Sequence, residues 1–399
     1  MEIAKERVRN WKSGTLDLSW LRLTELPELP VDLKVVWCHN NLLTSLPETL
    51  PASLTEIHCY NNHLTKLPDT LPAGLTVLYC SYNQLLSLPD TLPAGLRDLY
   101  CDNNQLLSLP DTLPVCLRQL YCNSNRLTTL PDTLPAGLIT LYCSRNLLTR
   151  LPDTLPTDLT QLYCYENQLL SLPDTFPAGL TILECNVNRL LSLPDTLPET
   201  LRSFDCYNNQ LVSLPDTLPA GLKMLNCSKN QLVSLPDTFL TDLTEFDCSH
   251  NRLTRLPDTL PAGLRQLYCQ SNQLLSLPCT LPPSLTSFYC YDNRLTTLPD
   301  TLPTGLRFLY CSHNQLTTLP KTLPDGLVSF WYTNNAFPDR EVDENNYEYV
   351  ARVNAIAEAA SKERIVARCG LVFEELAKKV WHPSRVERLM LAGVDMEDM

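Results

Sequence analysis

Hydrophobic and polar positions along this chain recur every 21 residues. In the copy LRDLYCDNNQL, which starts at Leu96, the positions Leu99 and Cys101 alternate with Asp98, Tyr100 and Asp102. Period-two alternation over so short a run predicts a strand, with Leu99 and Cys101 turned into a core and the other three turned outward. The rest of each unit reads LSLPDTLPAG or a close variant, with two prolines in most copies. Proline fixes φ and removes an amide donor, so this half is expected to run as extended, polyproline-like backbone and turns, not as helix.

Cysteine returns at the same place from Cys38 to Cys311, each copy 21 residues after the last. Asparagine follows three residues later, from Asn41 to Asn314, and once more at Asn335 after Tyr332. A fixed period of this kind means one array in which each turn buries its apolar face on its neighbours, although 399 residues could otherwise make two or three domains. Sixteen turns at ~4.8 Å per strand give a parallel sheet about 75 Å long, forming the concave face. The asparagine is expected to satisfy backbone groups where the chain leaves the strand, since a missing bond there costs ~1 to 3 kcal/mol. Asp of the LPDT segment, from Asp69 to Asp258 and including Asp237, is expected to bond local backbone in its turn.

The pattern LxxLxCxxNxL is that of a leucine-rich repeat with cysteine in place of the third leucine. Units such as LPAGLRDLYCDNNQLLSLP resemble the short repeats of bacterial effectors of the YopM and IpaH type over about residues 16–337. The resemblance implies an α/β-class LRR solenoid, mainly parallel β on the concave face with an extended convex side. IpaH-type proteins add a ubiquitin-ligase domain with a catalytic cysteine in a Cys-x-Asp motif. Here the one tail cysteine, Cys369, stands in ARCGLVF, so that activity is not carried over. The cysteine ladder and the tail VWHPSRVERLMLAGVDMEDM also resemble repeat proteins of giant DNA viruses that infect amoebae.

Three regions are expected: an N-terminal helical cap over 1–15, about 16 repeats over 16–337, and a C-terminal helical region over 338–399. The first unit is divergent, with Leu18 at the ladder position and Leu21 where asparagine would stand. Exposed ends of an array need such caps. In the tail, Tyr347, Val350, Asn354 and Ala357 fall at helical spacing, and a last helix is expected from Pro383 to Gly393.

Composition narrows the chemistry. With 17 cysteines, no apolar leader and no membrane-length apolar run, the expected setting is intracellular, in host cytoplasm or a virion if the chain is viral. The thiols then serve as small core residues. A net charge of −13 disfavours nucleic acid and anionic membranes and favours basic partners. Paired Cys-x-x-Cys zinc ligands and phosphate-binding glycine loops are absent from the sequence, and His39, His58 and His63 make a weak metal site, so no cofactor is expected. Cys116 and Cys279 lie off the ladder and lack a basic partner, so no enzyme is expected either.

The outward residue before each ladder position varies in an organised way. It runs Trp37, His58, Tyr79, Tyr100, Tyr121, Tyr142, Tyr163, then Glu184, Asp205, Asn226, Asp247, then Tyr268, Tyr289, Tyr310, Trp331. Two aromatic stripes thus flank an acidic window, which Glu166 and Glu245 extend and Lys229 and His250 partly offset. Stacked tyrosines can be structural, and they also make good contact surface. Like charges on adjacent strands repel unless a cation answers them. The expected function is a protein-protein interaction module whose concave face grips a basic host segment at this window, between Tyr142, Tyr163, Tyr268 and Tyr289. The alternative is a structural, virion-associated protein that self-associates through the stripes.

Overall fold

A computed structural model describes residues 1–236, 242–341, 343–380 and 382. Sixteen three-residue strands, β1 (Thr15–Asp17) to β16 (Ser329–Trp331), lie in chain order in one parallel sheet. Neighbours pair without slippage, as in Leu78 with Leu99 and Tyr79 with Tyr100. Among the described residues the proline-rich return segments carry no helix, so the convex side is thin there.

Strands stop after three residues because the chain turns sharply just past the ladder. Two residues beyond each ladder cysteine the backbone is left-handed, with φ between 50° and 57° from Asn40 to Asn334. No glycine stands at any of these positions; they hold Asn, Ser, Asp and His, but also Tyr82, Arg145, Glu166, Lys229 and the β-branched Val187. The conformation is disfavoured for L-residues, so the surrounding structure must enforce it.

The asparagine ladder does so. Asn104 Nδ2 donates to the carbonyls of Cys101 (3.1 Å) and of Cys80 one turn earlier (3.0 Å). Its Oδ1 accepts the Leu85 N–H at 3.0 Å. Each amide therefore closes its own turn and ties it to the preceding one. The same set recurs along the array, for example at Asn62, Asn146 and Asn251.

Inside the coil, leucines and ladder cysteines form one continuous buried column. Toward the C-terminal end the strand-centre residue alternates, Leu183, Phe204, Leu225, Phe246, Leu267, Phe288, Leu309, with all seven fully buried. Alternating large and small side chains interdigitate across the stack. The LPDT aspartates behave differently from expectation. Among the described copies they are exposed and accept no backbone bond; Asp132 and Asp153 instead face Arg150. Asp237 lies outside the described residues.

Helix α1 (Glu2–Asn10) covers the open N-terminal end with Ala4, while Val8 and Trp11 pack beside the core. Helix α2 (Asn346–Val380) opens with a reciprocal cap, Asn345 Oδ1 accepting the Glu348 N–H and Glu348 Oε2 accepting the Asn345 N–H, each at 3.0 Å. Tyr349, Val350 and Val353 pack on Leu319, Tyr332 and Phe337, and Asn354 Oδ1 accepts the Leu319 N–H at 3.0 Å. Tyr347, expected on that face, is 77% exposed, because the buried stripe sits at 349, 350 and 353. Beyond it, Ile365, Val372, Phe373 and Leu376 are exposed. The helix expected from Pro383 to Gly393 lies outside the described residues.

Candidate functional site

The register carries the variable row across the concave face without interruption. Strands β8 (Gln161–Tyr163) to β13 (Gln266–Tyr268) place Tyr163, Glu184, Asp205, Asn226, Asp247 and Tyr268 side by side, each paired with the next. Each strand's middle residue is buried while these neighbours are half-buried. Glu245 shares β12 (Glu245–Asp247) with Asp247 and borders the same window.

Three of the four window residues have a local role that sequence reasoning missed. Asp205 Oδ1 accepts the Tyr207 N–H at 3.1 Å, Asn226 Oδ1 the Ser228 N–H at 3.2 Å, and Asp247 Oδ1 the Ser249 N–H at 2.9 Å. Asp17 does the same for Ser19 at 2.9 Å in the first turn. The signal was available: Asp or Asn two residues before an amide is the Asx-turn arrangement. Asn226 makes this bond without charge, so the fold does not require a carboxylate at the position.

The charges are in fact held against their preference. Burial, with Glu184 and Asp247 acting the same way, raises the Asp205 carboxyl to about 6 against the pull of the Tyr207 amide and Asn226. Burial also raises Glu184. Around them, Glu166 is less central than expected: it is exposed in a left-handed turn and bound by Arg145 at 3.2 Å. Lys229 and His250 sit on equivalent exposed turns, off the strand row.

The two aromatic stripes differ. From Tyr79 to Tyr163 successive rings are stacked, with centroids 3.8–4.7 Å apart and planes within 11–16°. Their faces are taken up by one another and only edges reach solvent. From Tyr268 to Trp331 the planes cross at 41°, 75° and 46°. Tyr142 and Tyr163 therefore border the window with a closed stack, Tyr268 and Tyr289 with an open one.

Two of the three histidines are absorbed by packing, and His63 is exposed. His58 lies between Trp37 and Tyr79, with centroids 5.8 and 4.5 Å away, and His39 stacks on Tyr60 at 4.3 Å. Among the described residues no group of three or more His, Cys, Asp or Glu is arranged to hold a metal ion. Ladder thiols are buried and burial drives their pKa values upward, to about 12 at Cys38 and Cys143, which leaves them protonated and unreactive. Cys116, Cys279 and Cys369 are exposed. No described helix is long and apolar enough to cross a membrane.

No family model and no curated protein matches the chain. Solved structures do. YopM, a leucine-rich effector protein from Yersinia pestis, is 34% identical over 84% of this chain and 93% of its own, with a TM-score of 0.71. An LRR protein of Leptospira interrogans is 26% identical over 80% of this chain and 90% of its own, at 0.62. The functional domain of InlJ from Listeria monocytogenes, which includes a cysteine ladder, is 30% identical over 67% of this chain and 65% of its own, at 0.58. These matches are to repeat arrays, and the buried thiols at fixed spacing match the cysteine ladder of the last. The chain belongs to the leucine-rich repeat family, with the short repeats of the YopM type.

Proposed function

We propose that the chain is a non-enzymatic interaction module whose concave face holds a basic segment of a partner protein at Glu184, Asp205, Asp247 and Glu245. One observation carries this reading. Asn226 caps its turn as a neutral amide, so the charges at Asp205 and Asp247 are surplus to the fold, yet Asp205 is paired directly with Glu184 and burial raises the cost of both of those charges. Carboxylates kept at a loss of stability are what a site for a cation needs. In the viral or bacterial setting the partner is a host protein and the module acts inside the host cell. The test is a peptide array of graded net charge, probed with wild type and with the triple variant Glu184→Gln, Asp205→Asn, Asp247→Asn. Selection of basic peptides by wild type alone supports the reading; identical selection by both proteins rejects it.

A second reading, self-association, draws on Trp37 and Trp331, which leave 38% and 63% of their surfaces exposed at the ends of the row. Sedimentation velocity over a hundredfold concentration range separates the two: a constant mass excludes assembly through these ends.

A further inference from the structure

The open aromatic stripe encloses a cavity of about 410 Å³ at the C-terminal end of the concave face. Tyr289, Tyr291, Tyr310 and Trp331 line it, with Ser312, His313 and Thr333 completing the wall, and no Lys or Arg among them. Tyr289 and Tyr310 meet edge to face, at 75°, and Trp331 is tilted 46° from Tyr310. Unlike the stacked rings from Tyr79 to Tyr163, this arrangement leaves π faces unpaired, and π faces attract cations.

A guanidinium fits these faces, since its flat plane stacks on aromatic rings. The surroundings carry the right sign: Asp292 and Asp247 both hold the Tyr291 hydroxyl's pKa up, after burial.

We propose that this cavity seats an arginine side chain, with the guanidinium against Tyr310 and Trp331. The proposal deepens the interaction reading above, since that arginine belongs to the same basic segment. Asp247 lies on β12 and Tyr310 on β15 (Phe308–Tyr310), three strands apart. At ~4.8 Å per strand that is about 14 Å, which an extended peptide spans in about four residues. The segment is therefore a basic cluster followed or preceded, about four residues away, by one arginine.

The cavity is tested without the partner. Ligand-observed saturation-transfer NMR compares N-acetyl-arginine amide with N-acetyl-citrulline amide, its neutral isostere, on the full chain. Expected is transfer to the arginine probe at least about tenfold stronger than to citrulline, and its loss in Tyr310→Leu. Equal transfer to both probes, or transfer unaffected by Tyr310→Leu in a variant with native circular dichroism, overturns the assignment. Failure of the window reading looks different: the arginine probe still binds, while basic peptides bind the triple window variant as well as wild type.

Discussion

Replacing Asp205 with asparagine is expected to stabilise the protein and to weaken its binding of basic peptides. Asparagine keeps the oxygen that accepts the Tyr207 N–H at 3.1 Å, as Asn226 does one turn on. It removes a charge whose carboxyl titrates at about 6 in the fold instead of at its ordinary 3.8. The shift corresponds to about 3 kcal/mol at most, and solvent reaching the half-buried group brings the expected gain to about 1–2 kcal/mol. The native state holds a proton that the unfolded chain has already released between about pH 4 and pH 6. Stability contributed by this group is therefore full below about pH 4, falls as pH rises to about 6, and stays low above that. Urea unfolding of wild type and Asp205→Asn at pH 4 and pH 8 measures the difference. The variant should be more stable at pH 8, with the gain largely lost at pH 4. A variant less stable than wild type at pH 8, or a gain independent of pH, would refute the claim that this carboxylate is held against its preference.

Three further outcomes are expected. Val187→Asn should raise stability by about 1 kcal/mol, because asparagine tolerates the left-handed backbone that Val187 occupies at φ 53°; the urea midpoint checks it. Asn104→Ala should lower stability by about 3 kcal/mol, as the Leu85 N–H and the Cys80 and Cys101 carbonyls lose their partner; hydrogen exchange should show the loss centred on the turns around Cys80 and Cys101. Native alkylation followed by mass spectrometry should modify Cys116, Cys279 and Cys369 and leave the ladder thiols untouched until the array unfolds.

Much of the fold was legible because the sequence repeats its own instructions. Leu99 and Cys101 point inward and Tyr100 outward by strand alternation alone, and Asn104 stands where an amide can reach two turns. The left-handed turns were not legible, since Tyr82, Lys229 and Val187 give no sign of positive φ; the ladder amides impose it from outside the residue. The LPDT aspartates misled because the turn chemistry expected of them is general, whereas here the carboxylates face solvent and, at Asp132 and Asp153, Arg150. At the window, the row of Glu184, Asp205, Asn226 and Asp247 was visible as an interruption in a tyrosine series. Its double character was missed although Asp205 and Asp247 each stand two residues before the amide they bond, the Asx-turn arrangement. Nor does the sequence distinguish closed from open aromatic stripes: both read as tyrosine every 21 residues, and only ring orientation separates them.

The central claim is that a basic segment is bound by the carboxylates of this window. A cation placed beside Asp205 favours its charged form, so binding must expel the proton that the free protein holds. Titration calorimetry of a basic peptide at pH 6, repeated in buffers of different ionisation enthalpy, counts that proton directly. With a carboxyl titrating at about 6, release of up to about half a proton is expected from Asp205 in wild type, and correspondingly less in Asp205→Asn. Binding without proton release in wild type, or equal release in both proteins, would contradict the account.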